Sequence, residues 1–145
     1  GRGNRAMKFY NALLPAGQNN QIEVREAEPY SYCQFIMGKD HEDYGRARHP
    51  WLTGSSGWAY RAVTQWILGV RTSYQGLIID PCIPSDWNNF KIKRKWREAE
   101  FNIKVKNPDN VEKGVKRILL NGKQINGVIP PQNKGTANEI IVTMG

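Results

Sequence analysis

FKIKRKWREAEFNIKVK, residues 90–106, decides the fold class. Apolar and charged residues alternate along it. Phe90, Ile92 and Trp96 fall on one side and Lys91, Lys93 and Lys95 on the other, with Arg94 breaking the apolar row. Past the middle the pattern resumes, Phe101, Ile103 and Val105 standing opposite Asn102, Lys104 and Lys106. A period of two belongs to a strand with one buried face. Asn107-Pro108-Asp109 then ends the run as a turn. Further on, residues 115–120 read as a strand, Asn121-Gly122 as a tight hairpin turn into 123–125, and 139–144 as a last strand. These runs predict an antiparallel sheet within a β-sandwich, because a sheet with one apolar face needs a second layer.

Upstream the period is about 3.6. Asn4 is positioned to cap a first helix with Ala6, Phe9, Tyr10 and Leu13 at helical spacing, ended by Pro15 and Gly17. A short second helix is expected over residues 29–37, with Pro29 in its first turn and Gly38 as its stop. A third starts at the candidate caps Ser55 and Ser56 and carries Ala59, Ala62, Val63, Trp66, Ile67 and Val70 on one face, with Gly69 at its C-terminus. The period changes from helix to strand near residue 75, so the expected class is α+β.

The 145 residues carry 21 Lys+Arg against 13 Asp+Glu, a net charge of +8, and a pI of about 9.7. A charged fraction of 23% with 39% hydrophobic residues is that of a globular chain rather than a disordered one. No apolar run approaches the ~20 residues of a membrane span, and the first residues lack the apolar stretch of a secretory signal. Two cysteines rule out a disulfide framework. The basic excess is +3 in residues 1–75 (nine basic, six acidic) and +5 in residues 76–145 (twelve basic, seven acidic). It is spread rather than gathered into a tail. The absence of an initiator Met suggests a piece of something longer.

Four groups of residues invite a chemical reading. The stripe Lys91, Lys93, Lys95, Arg97, Lys104 and Lys106 could follow a phosphate backbone. The aromatics alternate to the opposite face, however, so a solvated, edge-protecting sheet face is the better reading, with no nucleic-acid partner. Cys33 and Cys82 form no CxxC, and His41 and His49 do not complete a zinc spacing with them, which leaves free thiols and no metal. Glu23, Glu26, Glu28, Asp40, Glu42 and Asp43 could include a glycosidic acid–base pair, though helix ends and polar loops account for such placements too. The best local site is HPWLTGSSGW, residues 49–58. Thr53, Ser55, Ser56 and the glycines 54 and 57 run into a helix N-terminus, the make-up of an anion pocket. It lacks the Gly-Lys-Ser/Thr of a Walker loop, and N-capping by Ser55 or Ser56 remains an equal reading.

REAEPYSYCQFIMGKD (25–40), HPWLTGSSGWAYRAVTQWILGVR (49–71) and GLIIDPCIPSDWNNFKIKRKWREAEFNIKVKNP (76–108) together resemble the C-terminal part of the carbohydrate phosphorylases of glycoside hydrolase family 94. The runs EPYSYCQ and IDPCIPSDW lean toward the cellobiose phosphorylases; enzymes for cellodextrin, laminaribiose or chitobiose are the alternatives. The resemblance implies the last helices of an (α/α)6 catalytic barrel over residues 1–73 and a C-terminal β-sandwich over 74–145. It implies reversible phosphorolysis of a glucose disaccharide with inversion: phosphate attacks the anomeric carbon and an Asp protonates the leaving oxygen.

By the same resemblance Thr53 and Gly54 contact phosphate, with Ser55 adjacent; the family often has Thr-Gly-Thr-Ala where this chain has Thr-Gly-Ser-Ser. The general acid and most sugar contacts lie upstream, so the isolated chain is expected to be inactive. No metal or organic cofactor is implied, and a homodimeric full-length enzyme is. Free cysteines, no visible signal and a phosphorylated sugar product that a cell would keep give a cytoplasmic expectation. The rival from another class is a non-catalytic carbohydrate- or anion-binding module, which the burial expected of Phe90, Trp96 and Phe101 argues against.

Overall fold

The two halves of the 90–106 run form a hairpin in the computed structural model, which describes all 145 residues. Strands β5 (Asn89–Trp96) and β6 (Ala99–Lys106) pair antiparallel from Asn89↔Lys106 to Trp96↔Ala99. The remaining elements, in chain order, are helix α1 (Gly3–Leu13), a 3-10 turn (Pro15–Gln21), a single helical turn α2 (Ile22–Arg25), a ribbon of β1 (Phe35–Ile36) and β2 (Ala47–Arg48), and helix α3 (Ser55–Arg61). A wider π-helical stretch (Ala62–Ile67) and a second ribbon of β3 (Val70–Thr72) and β4 (Leu77–Ile79) precede β5. After β6 come β7 (Val115–Leu120), β8 (Lys123–Ile125) and β9 (Ala137–Met144). The class is α+β. No helix is long and apolar enough to cross a membrane. By packing, the chain divides into two compact units, Lys8–Ala62 and Gly1–Met7 with Val63–Gly145.

In the second unit the sheet order is β5-β6-β9-β7-β8. The expectation of a purely antiparallel sheet is corrected: β6 and β9 run parallel, Ile103 opposite Ile140 and Val105 opposite Val142. The reason lies in β9. Ile140, Val142 and Met144 are fully buried, and Ile141 and Thr143 on its other face are half-buried. A strand with one face fully buried and half of the other sheltered belongs at the centre of a sheet. β9 takes that place between β6 and β7 although both precede it, its second face still carrying the exposed Glu139. Phe101, Ile103 and Val105 join it in the core, together with Leu77, Ile83 and Ile129. Each such side chain contributes about 1.5–3 kcal/mol by leaving water. The lysine-bearing β5 is the edge, where Lys91, Lys93 and Lys95 are exposed and discourage pairing with another sheet.

Two turns show how local chemistry sets the register. Asn121 and Gly122 join β7 to β8 with φ of 49° and 81°, the left-handed pair expected of Asn-Gly. The β5–β6 turn adopts similar angles at Arg97 (49°) and Glu98 (64°), residues with no preference for them. Arg97 compensates by lying 4.5 Å over the Trp96 ring, and Glu98 pairs with Lys134 at 2.7 Å. Replacing Arg97-Glu98 by Asn-Gly should therefore stabilise the chain by about 1 kcal/mol, the relief of left-handed strain exceeding the lost contacts. A thermal melt reads this, and an unchanged or lower midpoint would count against it.

The helices differ more from expectation. Asn4 does not cap α1. Its backbone N–H donates to Glu112 Oε2 (2.9 Å), its side-chain amide donates to Ser85 Oγ (3.2 Å), and its Oδ1 accepts from the Ser85 N–H (3.1 Å). Gly3 sits so close to the Ile83 carbonyl that a Cβ would lie 1.8 Å from its oxygen. The second expected helix does not form. Buried Arg25 donates to the carbonyls of Glu28 (3.0 Å) and Ser31, which a helix there would need as acceptors. Phe35 and Ile36 pair instead with Arg48 and Ala47.

The third helix starts and stops where expected but widens midway, Leu68 N–H reaching back to Val63 O (2.8 Å). Its stop, Gly69, has φ of 73°, and a Cβ there would meet the Asp80 carbonyl carbon at 2.3 Å. Gly69→Ala should cost about 2–4 kcal/mol, combining left-handed strain with backbone displacement. Urea unfolding measures it, and a loss below about 0.5 kcal/mol, the scale of a bland surface change, would contradict this close approach. Asp80 itself binds Arg71 (3.1 Å) and Lys113 (2.8 Å). Burial acts to raise its carboxyl, but these two cations outweigh burial and hold it below the usual range.

Candidate functional site

The turn at residues 53–55 belongs to the unit Lys8–Ala62. Helix α3 begins at Ser55, and the capping position is Gly54, with φ −78° and ψ −5° and no side-chain cap. Neither Ser55 nor Ser56 is the cap, then; both are first-turn residues. The first acceptor comes from Thr53, whose Oγ1 accepts the Ser55 N–H at 3.0 Å and donates to Ser55 Oγ at 2.8 Å. Two hydroxyls carry two protons, and one is used between them. The other is left to donate outward, beside first-turn N–H groups that have no partner within a helix. Thr53 and Ser55 are half-buried, while Gly54, Ser56 and Gly57 are exposed.

The glycines are not demanded by the fold. A Cβ on Gly54 would meet only the Trp58 ring carbon at 3.8 Å, and one on Gly57 would meet nothing within 4 Å. Gly54 also lies in ordinary right-handed backbone. This leaves the turn with bare backbone, exposed donors and no formal charge, an arrangement able to bind a small oxyanion.

The approach to the turn is strained. His49 (φ 51°) and Trp51 (φ 72°), on either side of Pro50, are both left-handed, at a cost of about 1–3 kcal/mol each. Trp51 is held by its indole N–H, which donates to Glu28 Oε1 at 2.9 Å, and by the edge of Tyr30, centroids 5.7 Å apart. That hydrogen bond, followed by bonding from Glu28's own backbone, keeps its carboxyl below the usual range against the effect of burial. The second carboxyl oxygen, Oε2, is shielded from solvent and has no partner. Sequence reasoning placed Glu28 only among the carboxylates that could include an acid–base pair and gave Trp51 no role. The two are 23 residues apart, and nothing in their local patterns signals the pair.

The other candidates stay apart. Cys33 and Cys82 are free and half-buried. His41 Nδ1 accepts the Asp43 N–H at 3.0 Å, a local turn contact, and the His49 ring lies 5.8 Å from Phe35. Asp43 pairs with Arg48 (3.1 Å) and Arg46 (3.5 Å), and Glu26 also pairs with Arg46. Asp40 and Glu42 are exposed. No three His, Cys, Asp or Glu side chains gather to hold a metal ion. On the lysine face, Glu100 pairs with Lys93 (2.9 Å) and Glu139 with Lys104, so the stripe is partly neutralised.

Residues 1–69 match the glycosyl hydrolase 94 superfamily, catalytic domain. The chain is similar over its whole length to two N,N'-diacetylchitobiose phosphorylases, 63% identical to that of Vibrio proteolyticus and 56% to that of Vibrio furnissii, covering 18% of each. It is 34% identical to the solabiose phosphorylase of Paenibacillus borealis, over 99% of this chain and 19% of that one. The chain thus spans about a fifth of the length of these relatives. These matches make the chain similar to the glycosyl hydrolase 94 family over residues 1–69 and to disaccharide phosphorylases over its whole length, and they support that family for it.

Proposed function

We propose that this chain is a segment of a disaccharide phosphorylase that cleaves N,N'-diacetylchitobiose, and that its 53–55 turn forms part of the phosphate site. The observation that carries this reading is the 63% identity, across all 145 residues, to an enzyme named for that substrate. The names of the relatives favour the chitobiose alternative over cellobiose. In the reaction a phosphate oxygen bonds to the anomeric carbon, the glycosidic C–O bond breaks, and an Asp outside this chain protonates the leaving oxygen. The products are N-acetylglucosamine and its 1-phosphate, with inversion at the anomeric carbon. Atoms balance with phosphate alone, so no organic cofactor is required. Thr53, Gly54 and Ser55 would hold phosphate through hydroxyl and backbone donors, leaving one oxygen free to attack.

The large exposed apolar side chains support membership of a larger domain. All lie between Phe9 and Tyr74, among them Trp51, Leu52, Trp58 and Trp66, and none is in the five-stranded sheet. Surface of that kind suits packing against further protein. We keep the division into a catalytic-domain segment over 1–73 and a sheet domain over 74–145, which the end of the family match at residue 69 supports.

The test is a chimera in which these 145 residues replace the matched segment of the Vibrio proteolyticus enzyme. It should phosphorolyse N,N'-diacetylchitobiose, whereas the isolated chain should not. The substrate is tested in the enzyme that carries this chain with its own upstream residues, which should prefer N,N'-diacetylchitobiose to cellobiose. A folded chimera without phosphorolysis would remove this reading, and an intact enzyme with its own upstream residues that prefers cellobiose would reverse the substrate assignment.

A further inference from the structure

We propose that Glu28 is the positioning residue of the 53–55 turn and acts on it through the indole of Trp51. The inference rests on the phosphate reading of that turn. Within this chain Trp51 is 64% exposed, so packing inside the chain contributes little to fixing it. Its backbone is left-handed, and Pro50 before it has a fixed φ. What sets the ring is the hydrogen bond to Glu28 Oε1 (2.9 Å) and the Tyr30 edge.

Glu28 is itself anchored. The buried Arg25 guanidinium donates to the Glu28 carbonyl (3.0 Å) and to that of Ser31. A continuous set of bonds therefore runs from Arg25 through the Glu28 backbone and carboxylate to the Trp51 indole, whose backbone lies two residues before Thr53. The Thr53 hydroxyl in turn fixes Ser55, accepting its N–H and donating to its Oγ. An oxyanion bound by directional donors is sensitive to a shift of about 1 Å in those donors. Glu28 thus sets phosphate affinity without touching phosphate.

The variants Glu28→Ala, Glu28→Gln and Trp51→Phe separate this role from simple structural support. In the chimeric phosphorylase, Glu28→Ala and Trp51→Phe should each raise the KM for phosphate about tenfold while the KM for the disaccharide changes less than about twofold. Glu28→Gln keeps an oxygen that accepts from the indole and should recover most of the phosphate KM. Equal damage from Gln and Ala, or an unchanged phosphate KM in Ala, would overturn the proposal. A second measurement uses the 145-residue chain alone. In its NMR spectrum, Glu28→Ala should shift the Trp51 indole N–H and the amides of Gly54 and Ser55, and Glu28→Gln should not. Should the parent chimera be inactive, the phosphorylase reading fails, while still amides at 54 and 55 in Glu28→Ala would independently dispose of the coupling.

Discussion

Asn107→Asp should lower the stability of the chain by about 3–5 kcal/mol, the combined cost of two buried hydrogen bonds lost and a carboxylate placed against carbonyl oxygens. Asn107 is 1% exposed. Its side-chain amide donates to the carbonyls of Trp87 (3.1 Å) and Val111 (2.9 Å), and its Oδ1 accepts the Val111 N–H (3.0 Å). Its own N–H reaches Asn88 O at 2.8 Å. One side chain thus fastens the chain leaving β6 to the segment that enters β5. Aspartate has the same shape but turns two donors into an acceptor facing acceptors. Phe101→Ala, the truncation of a fully buried ring, is the yardstick at about 3–5 kcal/mol. Urea unfolding of both variants should give comparable losses. If Asn107→Asp unfolds within about 0.5 kcal/mol of the parent, the amide does not donate to these two carbonyls.

The second large effect is on phosphate. In the chimeric phosphorylase, Thr53→Val should raise the KM for phosphate about 10- to 100-fold, the value of a hydrogen bond to a charged group. Valine keeps the β-branched shape and removes the hydroxyl that organises Ser55. Stability should fall by only about 1 kcal/mol, since one half-buried hydroxyl is lost. Gly54→Ala separates space from donors. The fold has room for its Cβ, so stability should be near that of the parent while phosphate affinity falls, the methyl occupying the bare backbone that the anion approaches. Were both variants to keep the parent KM for phosphate, this turn would not be the phosphate site.

Several of these features were legible in the residues. Alternation through 90–106 gave β5 and β6, although of the three aromatics expected to be buried only Phe101 is, Phe90 and Trp96 on the edge strand being half-buried. Asn121-Gly122 gave its turn, and the Thr-Gly-Ser-Ser run marked the candidate site. Arg97-Glu98 hid a hairpin turn because its residues lack any preference for left-handed backbone. Residues 29–37 looked helical because Pro29, Tyr30, Cys33 and Ile36 have the spacing. The buried guanidinium of Arg25 took the carbonyls that spacing would have used, and no periodicity argument registers such a competitor.

What the sequence determined by itself is local: where the period changes, which strand face is apolar, which turns are tight, and which stretch is rich in exposed donors. These follow from side chains acting on neighbours within a few residues. Only the tertiary structure decided that β9 inserts between β6 and β7, making one pair parallel, that Asn4 binds Ser85 rather than capping its helix, and that Glu28 holds Trp51. Each of these joins residues far apart in the chain, and each is settled by which partner satisfies a buried or strained group best. That competition is resolved only when the distant segments are brought together.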